Sequence, residues 1–333
     1  MRLFVTGGAG FIGSNYVRHV LATSDDAVTV FDALTYAGNR ATLADVEDDP
    51  RVTFVQGDIC DRAAVAAALP GHDVVVHFAA ETHVDRSLLD PDVFVRTNCS
   101  GTNVLCDLSV EHGVERFVHI STDEVYGSID EGSFTETSPL DPSSPYSATK
   151  AGADLLVGSY FHTYGMETLI CRGSNNYGPY QYPEKLIPLM ILNALHGDSL
   201  PVYGDGMNVR NWLYVEDFAR GIGHVLAHGV PGEAYNVGGP DELPNIEVVK
   251  AILDLTGNDE SLIEYVSDRP GHDRRYSLGS EKVRALGWEP RVRFGEGLQR
   301  TVAWYRERRD WWEPIRSGDY RAYYERQYGR TLG

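Results

Sequence analysis

Cysteine and lysine are both scarce in this chain. The four cysteines, Cys60, Cys99, Cys106 and Cys171, form no Cys-x-x-Cys pair and no Cys/His cluster with zinc-finger spacing. Neither a disulfide framework nor a bound metal is therefore expected. Lysine occurs only as Lys150, Lys185, Lys250 and Lys282. With 29 basic against 48 acidic residues the formal net charge is −19, a field that repels nucleic acid and anionic membranes. No apolar run approaches the ~18 residues of a membrane span. The chain opens directly into Leu3-Phe4-Val5 and a glycine loop, leaving no room for a signal peptide. A cytoplasmic protein with no nucleic-acid or membrane partner is expected. An anionic substrate would need its own local arginines.

The first half alternates two periodicities. Leu3–Thr6, Ala27–Asp32, Val52–Gln56, Asp73–Phe78, Phe117–Ser121 and Thr168–Arg172 read as strands, with helical patterns such as Ile12–Ala22, Arg62–Leu69, Gly101–His112 and Ala148–Tyr164 between them. Strands this apolar must be covered on both faces, which means a parallel sheet with helices on either side. The expectation is an α/β chain: a Rossmann-type doubly wound sheet over residues 1–173. Residues 174–333 should form mainly a smaller C-terminal α/β substrate-binding lobe, some segments returning to the first domain. Beyond Gly173 the pattern is irregular, broken by Pro179, Pro183, Pro188 and Pro201, with helices expected at Val215–Leu226, Asn245–Leu255 and Phe294–Arg308. The aromatic tail from Trp311 to Tyr328 reads as packing.

The first strand runs into Gly7-Gly8-Ala9-Gly10-Phe11-Ile12-Gly13, which opens a helix. Glycines there let the backbone approach a pyrophosphate, and the helix N-terminus presents N–H groups and a positive dipole end. The next strand ends in Asp32, 19 residues past Gly13 (32 − 13). A carboxylate at that place accepts from both ribose hydroxyls and repels a 2′-phosphate, so NAD is favoured over NADP. Asp58, after the third strand, is placed to reach the adenine edge.

Tyr146 and Lys150 lie four apart, on one helix face. An ammonium beside a phenol stabilises phenolate and allows tyrosine to act as a base. The strand Phe117–Ser121 delivers Ser121-Thr122-Asp123-Glu124 at its carboxyl end, where ligands bind in doubly wound folds. Two adjacent carboxyls repel, so one can stay protonated and serve as acid while the other serves as base.

Taken together, Gly7–Gly13, Asp32, Thr122 and Tyr146-x-x-x-Lys150 resemble the extended short-chain dehydrogenases/reductases that act on nucleotide sugars. The run Ser121-Thr122-Asp123-Glu124-Val125-Tyr126-Gly127 narrows the resemblance to the dTDP-glucose 4,6-dehydratases. Ala79–Ser87, Ser174-Asn175-Asn176-Tyr177-Gly178-Pro179-Tyr180-Gln181 and Asp268-Arg269-Pro270-Gly271-His272-Asp273 support it. The resemblance covers essentially the whole chain. It implies conversion of dTDP-glucose to dTDP-4-keto-6-deoxyglucose and water on bound NAD. Tyr146, with Lys150 and Thr122, would act at O4, Glu124 would be the base at C5, and Asp123 the acid at the C6 hydroxyl.

The same resemblance implies a cofactor set of Gly7, Gly10, Phe11, Ile12, Gly13, Asp32, Ala33, Leu34, Thr35, Asp58 and Ile59. Phe78, Ala79, Ala80, Thr97, Ser121, Tyr146, Lys150 and Asn176 complete it. Arg210 and Arg269 are the expected phosphate partners, because guanidinium binds phosphate oxygens in a fork. Thr82, Thr122, Asn175, Lys185, Leu186, Pro201, Val202, Tyr203, Asn245 and His272 would complete the nucleotide-sugar site. Asn245 reads equally well as a helix cap. Two positions depart from the family pattern: Thr82 where many relatives carry serine, and Gly173 where cysteine is common. The helical segments Gly101–Val110 and Ala148–Tyr164 carry apolar residues on more than one face. Relatives pair these helices across a two-fold axis, so a homodimer through a four-helix bundle is implied. The alternatives are a UDP-sugar 4-epimerase or decarboxylase, and a dinucleotide sensor without turnover. Neither needs the pair Asp123-Glu124.

Overall fold

The structure, a computed structural model, describes residues 1–317. Strand β1 (Arg2–Thr6) is followed by α1 (Phe11–Thr23), β2 (Ala27–Asp32), β3 (Val52–Gln56), α2 (Arg62–Ala68) and β4 (Val74–His77). Helices α3 (Val84–Leu89) and α4 (Pro91–Phe94) lead through a π-helical segment, Val95–Gly101, into α5 (Thr102–Glu111). Next come β5 (Arg116–Thr122), α6 (Pro145–Tyr164) and β6 (Glu167–Gly173). These strands form a parallel sheet in the order β3-β2-β1-β4-β5-β6. The expected Rossmann-type architecture is therefore present. Its physical origin is plain in β1, where Leu3, Phe4 and Val5 are all fully buried because helices cover both faces. The order reverses between β1 and β4, and at that switch point a crevice opens beyond the strand ends.

The chain then passes through β7 (Asn175–Tyr177), α7 (Leu186–His196), β8 (Leu200–Tyr203), β9 (Val209–Tyr214) and α8 (Val215–His228). Strand β10 (Ala234–Val237) adds to the large sheet as a seventh parallel strand beside β6. Helix α8 returns with it: Phe218, Ile222 and Val225 share one core with Tyr16, Val17 and Val20 of α1. Strand β11 (Asp241–Pro244), α9 (Asn245–Thr256), β12 (Ile263–Val266), α10 (Glu281–Ala285), α11 (Phe294–Glu307) and α12 (Arg309–Ser317) complete the described elements. Strands β11, β9 and β7 form a small mixed sheet, and β12 pairs with β8.

The proline-broken stretch after Gly173 is more regular than its composition suggests. Pro188 does not end α7, because it occupies the first turn, where a missing N–H removes no intrahelical bond. This helix packs with α9 and α11 in a second core, into which Trp311 and Trp312 are also buried. The remainder of the aromatic tail, from residue 318 on, lies outside the described residues. Among the described residues, no helix is long and apolar enough to cross a membrane.

Candidate active site

Helix α6 is the backbone of the site. Ser144 caps it in a reciprocal capping box with Ser147, Pro145 fixes its first turn, and Gly165 closes it in the left-handed region at φ 70°. Tyr146 is thereby set in the first turn and Lys150 one turn later, both against the carboxyl end of β5. There Thr122 caps a short 3₁₀ turn, Asp123–Tyr126, its Oγ1 accepting from the Glu124 N–H at 3.3 Å. The strand end thus delivers Asp123 and Glu124 on a fixed turn.

Two clefts meet here. The first, of about 310 Å³, is lined by Gly7, Gly10, Phe11, Ile12 and Gly13 at one point and by Asp32, Ala33, Thr35, Asp58 and Ile59 at another. Phe78, Ala79, Ala80, Thr97, Ser121, Tyr146 and Lys150 line the rest. Helix α1 follows its N-cap Gly10 with no side-chain cap and no acid in its first turn, so its N–H groups are left open to an anion. A Cβ on Gly7 would meet the Ala79 backbone nitrogen at 2.5 Å, and one on Gly13 the Gly7 carbonyl at 2.3 Å. At the far end the Asp32 oxygens accept from the N–H groups of Ala9 (2.9 Å) and Leu34 (2.8 Å). Each still has a lone pair for a hydroxyl donor. A glycine-walled helix N-terminus and a pre-oriented carboxylate fit a dinucleotide. Leu34 packs against the core instead of lining this cleft, and Asn176 donates to the Ser174 carbonyl outside it. Asp58 is engaged with Arg96 at 2.6 Å and the Cys60 N–H at 2.8 Å.

The second cleft, of about 160 Å³, is lined by Glu124, Asn175, Leu186, Pro201, Val202, Tyr203, Arg210, Asn245, Arg269 and His272. Thr82 and Lys185 line both clefts and mark the seam. Arg210 stacks on Tyr276 and donates to the carbonyls of Val209 and Asp273 rather than to a carboxylate. The positive charge needed beside an anion in this acidic chain is therefore built locally. Asn245 does not cap α9, because Pro244 holds that position. Its Oδ1, like that of Asn175, is buried without a hydrogen-bond partner, a group left for a ligand to satisfy.

The carboxyl pair is split by its surroundings. Burial, reinforced by the neighbouring Glu124 charge, pushes Asp123 up to about 8, so it keeps its proton at neutral pH. Burial also raises Glu124, but Arg269, Lys185 and Arg210 pull in the opposite direction. The Tyr/Lys pair departs from the simple reading of an ammonium lowering a phenol. Burial holds the Tyr146 phenol above the ordinary range, with Glu124 adding to the effect and the Thr82 and Thr122 hydroxyls opposing it. Lys150 is turned to the Ile120 carbonyl at 2.6 Å, which engages its charge with the strand.

Several site residues carried no individual signal in the sequence. Asp85 accepts from Arg269 at 2.8 Å and from the Tyr203 hydroxyl at 3.1 Å, tying α3 to the second cleft. Glu184, also lining it, pairs with Arg86 at 2.8 Å. Gln181 and Tyr182 line the first cleft. Gly173, the departure from cysteine, has the Phe218 ring 2.5 Å from where a Cβ would stand. Bulk at this point comes from α8 rather than from β6.

This fold and its two adjoining clefts define a Rossmann-type dehydrogenase/reductase with a second cleft lined by Arg210 and Arg269. Residues 4–301 match the family model described as GDP-mannose 4,6 dehydratase. The chain is 52% identical to the dTDP-glucose 4,6-dehydratase of Streptomyces niveus, over 96% of this chain and 97% of that one. It is 54% identical to a low-salt glycan biosynthesis protein of Haloferax volcanii, over 92% and 98%. Among solved structures it is similar to DesIV, a dTDP-glucose 4,6-dehydratase from Streptomyces venezuelae with NAD and TYD bound. That match has 57% identity and a TM-score of 0.93, and covers 95% of this chain and 100% of that chain. The chain belongs to the dTDP-glucose 4,6-dehydratase family.

Proposed function

We propose that this chain converts dTDP-glucose to dTDP-4-keto-6-deoxyglucose and water, with NAD held in the first cleft and the nucleotide sugar in the second. The observation that carries the reading is the pair Asp123-Glu124 at the seam, one carboxyl held protonated and the other faced by three cations. An epimerase or decarboxylase on this scaffold has no use for such a pair. Residues 1–173 would supply the cofactor half and most of 174–333 the substrate half.

Gly7, Gly10 and Gly13 would admit the pyrophosphate and Asp32 the ribose. NAD, when bound, supplies the hydride acceptor for C4 and the donor for C6, and adds positive charge to the cleft that Tyr146 lines. Tyr146 takes the O4 proton, with Thr122 and Lys150 in support. The ketone then acidifies the C5 hydrogen, and Glu124 removes that proton. Asp123 gives its own proton to the C6 hydroxyl, which leaves as water. Arg210 and Arg269 hold the diphosphate, and Asn175, Asn245, Tyr203 and His272 position the rest.

The test is turnover of protein purified without added dinucleotide. It should convert dTDP-glucose to a 4-keto-6-deoxy product identified by mass and NMR, and denaturation should release NAD. Recovery of NADP, or a C4-epimerised or decarboxylated product from a panel of sugar nucleotides, would overturn the assignment.

A homodimer belongs to the same proposal. Leu88 and Leu89 on α3, Val95 in the π-helical segment and Leu155 on α6 are exposed, Leu155 by 67%. Large apolar side chains gathered on adjoining helices favour a partner over water. Light scattering at micromolar concentration should give twice the mass of the 36.9 kDa chain. A monomer there would sink the dimer.

A further inference from the structure

Tyr146, Lys150 and Asp154 follow one another at four-residue spacing along α6, and only the first two have a role so far. Beneath the site, Lys150 Nζ lies 3.4 Å from His119 Nε2, besides its bond to the Ile120 carbonyl. The same His119 nitrogen lies 3.4 Å from Asp154 Oδ1. The other Asp154 oxygen accepts from Arg172 Nε at 2.8 Å, and Arg172 Nη1 donates to the Tyr126 hydroxyl at 2.6 Å. His119, Lys150, Asp154 and Arg172 are all buried. We infer that Asp154 is a positioning residue which, across His119, keeps Lys150 an ammonium and anchors it on the β5 carbonyl. The inference deepens the proposed function and rests on it for the use to which Lys150 is put.

An ammonium taken out of water without a counter-charge sheds its proton. The groups facing Lys150 come from every neighbouring element: His119 of β5, His77 of β4, Cys99 of the π-helical segment and Asp154 of α6. Ser121 of β5 and Arg172 of β6 face Asp154 in turn. His77 and His119 are neutral, burial holding both far down and His119 at about 4. Burial likewise raises the Cys99 thiol, which stays uncharged. Asp154 is then the single anion in the cluster. Against its own burial, it is kept at about 2 by His119 and Arg172. Burial pushes Lys150 down to about 8, and Asp154 is the largest influence holding it up. Arg172 competes for the same carboxylate.

The scarcity of lysine makes this measurable without substrate. Protein labelled with ¹³C at lysine Cε has four resonances, and Lys150→Met assigns the one of interest. In a pH titration of the wild type, the Lys150 signal should move with a midpoint near 8. Asp154→Asn should lower that midpoint by about one pH unit or more. Arg172→Gln should move it upward, because the carboxylate then serves Lys150 alone. In turnover, the alkaline fall of Asp154→Asn should begin at lower pH, so its deficit relative to wild type grows with pH. A merely structural role predicts a uniform loss at all pH and an unmoved lysine. Should Asp154→Asn fail to fold, Arg172→Gln carries the test with the opposite sign. An unchanged Lys150 midpoint in either folded variant overturns the inference, whatever sugar nucleotide the enzyme turns over.

Discussion

Tyr146→Phe should abolish oxidation of the sugar while leaving the protein folded and able to bind. The ring is 8% exposed and packs against Val84 and Phe94, contacts that phenylalanine retains. What is lost is the hydroxyl beside Thr82 and Thr122, the only group assigned to take the O4 proton. Removal of a general base typically costs ~10²–10⁴-fold in rate. Adding dTDP-glucose to the variant should therefore produce no absorbance of reduced nicotinamide, while thymidine diphosphate binds as in wild type. Oxidation at an undiminished rate would remove Tyr146 from its role.

The difference between what the residues announce and what they conceal follows from range. Strands β1, β2, β4, β5 and β6 are legible because each is a short, largely buried apolar run bounded by turns. The edge strand β3 is legible because its Val-Thr-Phe-Val run stands between turns, although none of it is fully buried. Strand β10 is not. Four residues long, it joins the sheet beside β6, some 60 positions after that strand ends, and nothing local announces the partner. Strand β7 consists of Asn175, Asn176 and Tyr177, a composition that reads as loop until β9 is laid beside it. In α7 the presence of Pro188 outweighs an apolar run that is otherwise a helix, because a proline in the first turn is silent.

The site divides along the same line. The glycine loop, Asp32 and the Tyr146-x-x-x-Lys150 spacing are local patterns, and each lines a cleft in the fold. The direction of the Lys150 ammonium is not local. It is set by the Ile120 carbonyl and His119, about thirty positions upstream. The state of the Tyr146 phenol is likewise a product of burial that spacing cannot report. Asp85 shows the point from the other side. Nothing in its short helix points to a partner, yet it binds Arg269 from 184 positions away.

Glu124→Gln should separate the two halves of the reaction. Glutamine keeps the length and hydrogen-bonding shape of the side chain and removes its basicity. Tyr146, Thr122 and Lys150 are untouched, so the C4 hydroxyl should still be oxidised. The C5 proton then has no acceptor, and elimination should slow by ~10²–10⁴-fold. The Asp123 carboxyl cannot take over, since it is held protonated up to about 8. Burial, the larger cause of that rise, is untouched by the substitution, so Asp123 stays raised even without the Glu124 charge. Adding dTDP-glucose should therefore build up the absorbance of reduced nicotinamide, with little solvent deuterium entering at C5 and little 6-deoxy product. Tyr146→Phe and Glu124→Gln thus fail at different places, one before the first hydride transfer and one after it. Rapid deuterium entry at C5 in Glu124→Gln would show that another group is the base.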